Sequence, residues 1–142
     1  MTSLSFPDVN VWLALLLADH THRASAVQWW DSETSETIAF CRTTQISVLR
    51  LLTTAVAMNG KPLSMKHAWR AYERLFADDR VAFLPEPTAL EPEFKSRSLS
   101  GTASPKVWAD AYLIAFATCT DATLVTFDQA LENKGARCLV LR

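Results

Sequence analysis

The sequence predicts an α/β fold, a three-layer sandwich in which a mostly parallel central sheet of about four to five strands is flanked by helices. Short apolar segments of strand length alternate with longer segments of helical periodicity along the whole chain. No two predicted strands are joined by the two-residue turn that indicates a hairpin, which favours parallel pairing. The 142 residues contain no internal repeat, low-complexity tract or linker, and they predict one domain, 1–142.

The first half of the chain contains two predicted strands and four predicted helices. Residues 4–8 (LSFPD) predict a strand that ends near Pro7, because proline has no N–H to donate to a ladder. The third helix begins at Thr43 or Thr44, and Gly60 is its predicted C-terminal stop. The other predicted helices cover 10–18, 22–30 and 64–79, and the second strand covers 37–41 (TIAFC).

The second half contains three predicted strands around one long apolar helix. Pro105 suits the first turn of this helix, which continues to Cys119. The helix is apolar nearly all round, which predicts that it is buried, and Trp108 is expected in the core. The strands are predicted at 81–84, 123–126 and 138–141, with a turn or short helix at 91–97 and another short helix from Asp128 onward.

The cysteine content and the hydropathy predict a cytoplasmic protein. Three scattered cysteines are too few for a disulfide framework or a zinc site, so we expect buried free thiols in a reducing compartment (Cys41, Cys119 and Cys138). No stretch of 18 apolar residues is present, and the N-terminus lacks the charged region of a signal peptide. The sequence therefore predicts no membrane association.

Three aspartates occupy positions where an acid is costly. Asp8 ends an apolar strand, Asp128 directly follows the strand TLVT, and Asp110 lies within the most apolar helix. Buried carboxylates are rare unless they are paired or bind a metal ion. The carboxyl ends of strands in an open parallel sheet form the usual ligand site, and the helix of Asp110 can reach the same edge. We expect the three side chains to converge there.

Convergence of the three aspartates would require a cation. Three carboxylates about 4–5 Å apart repel one another by roughly 10 kcal/mol in total at an effective dielectric constant of about 20. Oxygen-only ligands favour Mg²⁺ or Mn²⁺, and such an ion can activate a water against a phosphate. The ion would also supply positive charge that the chain lacks, because the net charge of −1 and pI of about 6.3 argue against nucleic-acid binding by overall charge alone.

Simpler explanations exist for each aspartate taken alone. Asp8 and Asp128 can each cap the helix that follows. Asp110 can pair with a buried arginine such as Arg50. A coincidence of all three explanations is less favoured than a shared site.

Four segments, in this order, resemble the PIN-domain ribonucleases and specifically the VapC-like toxins: FPDVNVWLALL, TTQISVLRLLT, ADAYLIAFA and LVTFDQAL. The last two are the most specific. The resemblance implies a parallel sheet flanked by helices, and an acidic cluster that binds Mg²⁺ or Mn²⁺ and hydrolyses RNA. It also implies a cognate antitoxin as a partner and a homodimer.

The resemblance also implies roles for individual residues. Asp8, Asp110 and Asp128 match the first, third and fourth acidic positions of the family, and Thr126 matches a hydroxyl residue that orients the cluster. Gln45 stands where the second acid usually lies, so the site has three formal negative charges rather than four. Glu36 is a weak candidate for the missing acid, because it precedes a strand. Two further residues are expected to line the site, Asn10 and Arg50.

Two alternatives remain open from the sequence. The loss of an acid at Gln45 is also typical of a degenerate domain that binds RNA or protein without cutting. A basic stripe on one helix face is either an RNA contact or simply solvated (Lys66, Arg70 and Arg74). Tryptophans of the first two helices are candidates for a partner surface, although core packing is favoured for Trp12 (Trp12, Trp29 and Trp30).

Overall fold

The structure, a computed structural model, describes residues 3–142, so the first two residues of the predicted domain lie outside the described part. Its centre is a five-stranded sheet with the order β3-β2-β1-β4-β5, and every neighbouring pair is parallel. The predicted parallel sheet is confirmed. The strands are β1 (Leu4–Pro7), β2 (Thr37–Phe40), β3 (Val81–Phe83), β4 (Thr123–Thr126) and β5 (Arg137–Val140).

Six α-helices connect these strands and cover both faces of the sheet. They are α1 (Val9–Leu16), α2 (Arg23–Ser32), α3 (Arg42–Leu52), α4 (Met65–Arg74), α5 (Leu90–Ser98) and α6 (Val107–Thr120). Two short 3₁₀ helices, Leu75–Ala77 and Gln129–Leu131, follow α4 and β4. Within the described residues, no helix is long and apolar enough to cross a membrane.

Strand β2 illustrates why the sheet is covered on both faces. Ile38 and Phe40 belong to the apolar cluster built with α1 to α4, whereas Ala39 and Cys41 belong to the cluster built with α6 and the start of α5. All four side chains are buried. Successive side chains of a strand point to opposite faces, so a continuous apolar run is the pattern expected of a strand with helices on either side. The three-layer sandwich is thus confirmed.

Aromatic stacking fixes the helices against the sheet. On one face Trp12 of α1 stacks on Phe40 with ring centroids 3.9 Å apart. On the other face Phe116 of α6 packs on Phe6 of β1 at 4.7 Å. The two contacts lie on opposite faces of the sheet, at the neighbouring strands β2 and β1. Such aromatic pairs add about 0.5–1.5 kcal/mol beyond the area they bury. The core packing expected for Trp12 is confirmed by its complete burial.

Helix α3 is shorter than the sequence predicts, because it ends at Leu52 rather than near Gly60. The hydroxyls of Thr53 and Thr54 donate to carbonyls of the last turn, at Leu49 and Arg50. Threonine side chains compete in this way with the regular backbone pattern. Gly60, at a φ of 81°, instead ends a separate turn that begins at Thr54.

The N-terminal turn of α6 is another departure from the sequence prediction. Trp108 is 58% exposed rather than buried, and the preceding Val107 is also exposed. Burial along α6 is confined to the face and turns that meet the sheet, including Ile114 to Ala117. Periodicity cannot detect this, because Val107 and Trp108 are as apolar as the buried residues of the helix. Among the cysteines, all of which are free, only Cys41 is buried as predicted.

The strand order places a ligand crevice beside β1. The chain builds the sheet outward from β1 to β2 and β3 on one side, and returns to add β4 and β5 on the other. The order therefore reverses between β1 and β4. In open parallel sheets the carboxyl ends of the strands at such a switch point form the common ligand-binding crevice. Asp8 follows β1 and Asp128 lies two residues beyond β4, so both stand at this crevice.

Candidate active site

Asp8 is fixed at the carboxyl end of β1 by the backbone around it. Its N–H donates to the carbonyl of Val125 in β4 at 2.9 Å. Its carboxylate caps α1 by accepting from the N–H groups of Asn10 (3.1 Å) and Val11 (3.3 Å). Only 8% of the residue is exposed. The capping role that the sequence allowed for Asp8 is therefore present, and it holds the side chain at the crevice.

Thr126 links the two aspartates that follow strands. Its hydroxyl, which is fully buried, donates to Oδ2 of Asp8 and accepts from the N–H of Asp128 at 3.0 Å. The Asp128 carboxylate caps the 3₁₀ helix that follows β4 by accepting from the N–H of Ala130 at 2.9 Å. Unlike Asp8, Asp128 is exposed. One threonine thus orients Asp8 and the backbone of Asp128 together, as the family resemblance implies.

Asp110 reaches the same region from α6. It lies in the first turn of that helix and is half-buried. It lines a pocket of about 170 Å³ between α5, α6 and the segment after β4. Within residues 3–142 its carboxylate has no ion pair, so the proposed pairing with Arg50 is absent. Arg50 instead lies exposed on the groove between α3 and α4.

The electrostatics show that Asp128 acts on both other aspartates. Burial raises the pKa of Asp8, and the charge of Asp128 raises it further, against hydrogen bonds from Thr126 and two backbone N–H groups. Burial likewise raises the pKa of Asp110, the charge of Asp128 adds to the rise, and Lys134 opposes it. The charge of Asp128 thus acts in the same direction on the pKa of Asp8 and on that of Asp110.

The three carboxylates do not form the compact cluster expected from the sequence. In the described part of the chain, no three His, Cys, Asp or Glu side chains are close enough to share one metal ion. Their donor chemistry nevertheless fits a hard cation, because they offer only oxygen and none forms an ion pair with another residue of 3–142. Mg²⁺ usually retains several waters and takes one or two carboxylates, so a wider spacing of acids is compatible with it.

The structure does not bring every expected residue to the crevice. Gln45 is buried at the start of α3, where its side-chain oxygen accepts from Arg42 Nη1 at 2.6 Å, and no hydrogen bond among the described residues joins it to the three aspartates. Asn10 is exposed and contributes its backbone N–H to Asp8. Glu36 precedes β2, so it lies toward the opposite edge of the sheet.

Sequence reasoning missed an acid at the edge of the sheet where the candidate site lies. Glu86 follows β3, and its carboxylate accepts from the hydroxyl of Tyr112 at 2.9 Å. Burial raises the pKa of Tyr112, and the hydrogen bond to Glu86 raises it further, so the phenol stays a donor. The signal that identified Asp8 and Asp128, an acid just beyond an apolar strand, also marks Glu86. Two basic residues of the Asp110 pocket, Arg97 and Lys134, were missed as well.

Comparison with known proteins agrees with this architecture. Residues 5–136 match the model of the PIN domain family. "Ribonuclease VapC41" of Mycobacterium tuberculosis is 41% identical over 133 residues, which cover 90% of this chain and 91% of that protein. "Ribonuclease VapC44" of the same organism is 33% identical over 124 residues, covering 87% and 85%.

A solved structure supports the fold independently. The crystal structure of M. tuberculosis VapC20, described as a sarcin-ricin loop cleaving toxin, superposes with a TM-score of 0.67 over 94% of this chain and 96% of that one, at 17% identity. At that identity the likeness concerns the fold alone. Together with the match over residues 5–136 and the close relatives, it leads to one conclusion: the chain belongs to the PIN-domain family.

Proposed function

We propose that this chain is a metal-dependent endoribonuclease of the VapC type and the toxin of a toxin–antitoxin pair. The observation that carries the proposal is the set of three aspartates at the switch point of the sheet, in which burial and then the charge of Asp128 raise the pKa of both Asp8 and Asp110. None of them has a Lys or Arg ion-pair partner within residues 3–142. Such a site calls for a cation. Relatives named ribonucleases cover nearly the whole chain.

Each aspartate has a distinct role in this proposal. Asp8 and Asp128 are held by Thr126 and by helix-capping hydrogen bonds, so they form the fixed part of the site. Asp110 adds an acid from the other side. The three would hold Mg²⁺ or Mn²⁺, directly or through water. A divalent ion in such a site supplies an activated water and stabilises charge on the phosphate.

The decisive experiment compares two aspartates at opposite ends of α6. Asp110→Asn should lower metal-dependent RNA cleavage by about 10³-fold, because a metal-held phosphate is worth several kcal/mol in the transition state. Asp121→Asn is the matched control. Asp121 is the exposed C-cap of α6 with a φ of 57°, a left-handed conformation that asparagine adopts readily. Retention of full activity by Asp110→Asn would refute the assignment.

Metal binding can be measured without activity. Mn²⁺ or Mg²⁺ that binds the folded state should raise the melting temperature of the wild-type protein in a concentration-dependent way. The rise should be clearly smaller for Asp110→Asn and unchanged for Asp121→Asn. Equal rises for all three proteins would mean that the ion binds elsewhere.

The toxin role has its own test. Expression of the wild-type chain in a bacterium should arrest growth, whereas Asp110→Asn should not.

Antitoxin and homodimer contacts need an apolar surface, and α3 and α4 provide one in a groove of about 370 Å³ with exposed Ile46, Met65 and Trp69. Trp12 and Trp29 are buried, so they are unsuited to the partner role considered for them.

A second candidate function is a non-catalytic module that binds RNA or protein. Two observations favour it: the neutral Gln45 at the second acidic position, and the spacing of the three aspartates. It differs from the first in one measurable respect. RNA binding without cleavage, together with no stabilisation by millimolar Mg²⁺ or Mn²⁺, would favour this function over the enzyme.

A further inference from the structure

The pocket beside Asp110 contains two basic residues that the three-aspartate site does not require. Besides Asp110 and apolar side chains of α6, it is lined by Arg97 of α5 and by Lys134, which follows the 3₁₀ helix. The pocket also includes Ala130, whose N–H is held by Asp128. It therefore adjoins two of the three aspartates. Cations repel a metal ion, so their presence here needs another explanation.

Arg97 is held in place by several contacts. Its Nε donates to Glu93 Oε1 at 2.8 Å, and its Nη1 donates to the backbone carbonyl of Lys134 at 2.8 Å. The guanidinium lies so close to Gly135 that a Cβ there would come 2.1 Å from Nη1. Gly135 also has a φ of 107°, which side chains rarely adopt. The close approach of Arg97 to this loop thus depends on glycine.

Lys134 is the free cation of the pocket. It is exposed, and among the described residues its ammonium has neither a hydrogen bond nor an ion pair. Lys134 and Asp110 line the same pocket, and the charge of Lys134 opposes the rise in the pKa of Asp110. An unpaired lysine in this pocket is available to an incoming anion.

The size and charge of the pocket indicate the kind of anion. At about 170 Å³ it is smaller than the ~300 Å³ at which pockets for drug-sized ligands begin, so it suits a compact group rather than a whole nucleotide. Arginine and lysine together with backbone geometry are the usual means of holding phosphate. A chain with a net charge of −1 needs such a local patch to attract RNA.

We propose that Lys134 and Arg97 form a subsite for a backbone phosphate of the RNA substrate, next to the three aspartates. The proposal rests on the function proposed above and specifies where the substrate strand is held. Lys134 neutralises the phosphate, while Arg97 donates from a position fixed by Glu93 and the loop at Gly135. The subsite binds the strand beside the neighbouring acids with equal strength before and during cutting.

The test measures RNA binding without metal and without cleavage. The full-length Asp110→Asn protein is titrated against a fluorescent oligouridine of about 12 nucleotides in EDTA, between about 50 and 200 mM salt. Adding Lys134→Gln should weaken binding by about 2- to 10-fold and reduce the slope of log affinity against log salt by about 0.7, since one phosphate contact is lost. Arg97→Gln should act in the same direction.

A matched lysine on another surface provides the control. Lys61 is exposed, does not line the pocket and lies outside the basic stripe of α4, so Lys61→Gln removes the same charge elsewhere. It should change neither affinity nor slope by a comparable amount. Equal effects of the Lys61 and Lys134 variants would overturn the subsite, and so would a lack of RNA binding by the Asp110→Asn protein. Thermal melting shows whether Arg97→Gln still folds; if it does not, Lys134→Gln carries the test.

Cleavage separates this proposal from the enzyme proposal. In the otherwise wild-type chain, Lys134→Gln should raise KM with little change in kcat, because it removes a contact made equally in the ground and transition states. A wild-type chain that cleaves RNA while Lys134→Gln has an unchanged KM would overturn the subsite and leave the enzyme intact. A wild-type chain that cleaves no RNA would refute the enzyme, whatever the binding measurements give.

Discussion

The two ends of the candidate site are built differently. At one end, Asp8 and Asp128 follow adjacent parallel strands, and Thr126 hydrogen bonds to both. At the other end, Asp110 lies on the first turn of α6. The charges of Asp128 and Lys134 act on its carboxylate. The first end is fixed by the register of the sheet. The second is positioned only by the packing of one helix.

The packing of α6 explains why the Asp110 end is the less constrained of the two. The buried face of the helix meets the sheet through residues such as Ile114 and Phe116, whereas its first turn exposes Val107 and Trp108. The segment 99–106 that leads into α6 is exposed throughout. Substitutions at the Asp8 end should therefore affect both stability and activity, while those at the Asp110 end should affect mainly activity.

The largest effect that sharpens this comparison is expected at Asp8. Both Asp8→Asn and Asp8→Ala should reduce cleavage by about 10³-fold, because each removes a charge proposed to hold the metal. Their stabilities should differ, since asparagine still caps α1 and alanine does not. Chemical denaturation should show alanine less stable than asparagine by about 0.5–2 kcal/mol. Equal stabilities would mean that the hydrogen bonds to Asn10 and Val11 contribute little.

A smaller effect is expected at Thr126. Thr126→Val keeps the shape of a fully buried side chain but removes the donor to Asp8 and the acceptor for the N–H of Asp128. Leaving buried polar groups unpaired should cost about 1–3 kcal/mol in the free energy of unfolding. Loss of an orienting residue should lower activity by about 10- to 100-fold.

Serine is the matched control for that substitution. Thr126→Ser retains the hydroxyl and should recover most of the activity, although it leaves a small cavity. If valine and serine gave equal activity, the hydroxyl would have no orienting role.

The strand-end half of the site could be predicted from the sequence, whereas the helical half could be predicted only in part. An acid directly after an apolar strand of a parallel sheet lies at the carboxyl edge of that sheet, so the sequence predicts the location of Asp8 and Asp128. Asp110 is a candidate because a carboxylate is costly in an apolar helix. Its actual spacing depends on how α6 packs, which periodicity does not encode.

The elements that departed from prediction have two physical causes. Helix α3 ends early because Thr53 and Thr54 bond to its last carbonyls, and propensity alone does not reveal these local hydrogen bonds. The exposure of Trp108 and the contact of Arg97 with Lys134, 37 residues apart, both arise from tertiary packing. The local pattern predicts the order of the elements, whereas side-chain hydrogen bonds decide where α3 ends and contacts between distant segments decide the composition of the pocket.

The smallest expected effect is a pH dependence that compares Asp110→Asn with the wild type in the absence of metal. Burial, with the charge of Asp128, raises the pKa of Asp110 in the folded state. Above about pH 4 the unfolded chain has lost this proton while the folded chain still holds it. The folded state then binds more protons, so wild-type stability falls as pH rises until the folded pKa is passed. The asparagine variant avoids this loss.

The difference in melting temperature, Asp110→Asn minus wild type, should therefore grow as pH rises from about 4 and then level off above the folded pKa. Asp79→Asn, measured in parallel, corrects for the loss of an exposed carboxylate that has no ion pair among the described residues. Asp8→Asn should show the same sign, because burial also raises the pKa of Asp8. Its gain is offset by weakening of the hydrogen bond from Thr126, which the Asp110 end lacks. A difference that shrinks with rising pH would contradict a raised pKa of Asp110 in the folded state, which burial and then the charge of Asp128 cause.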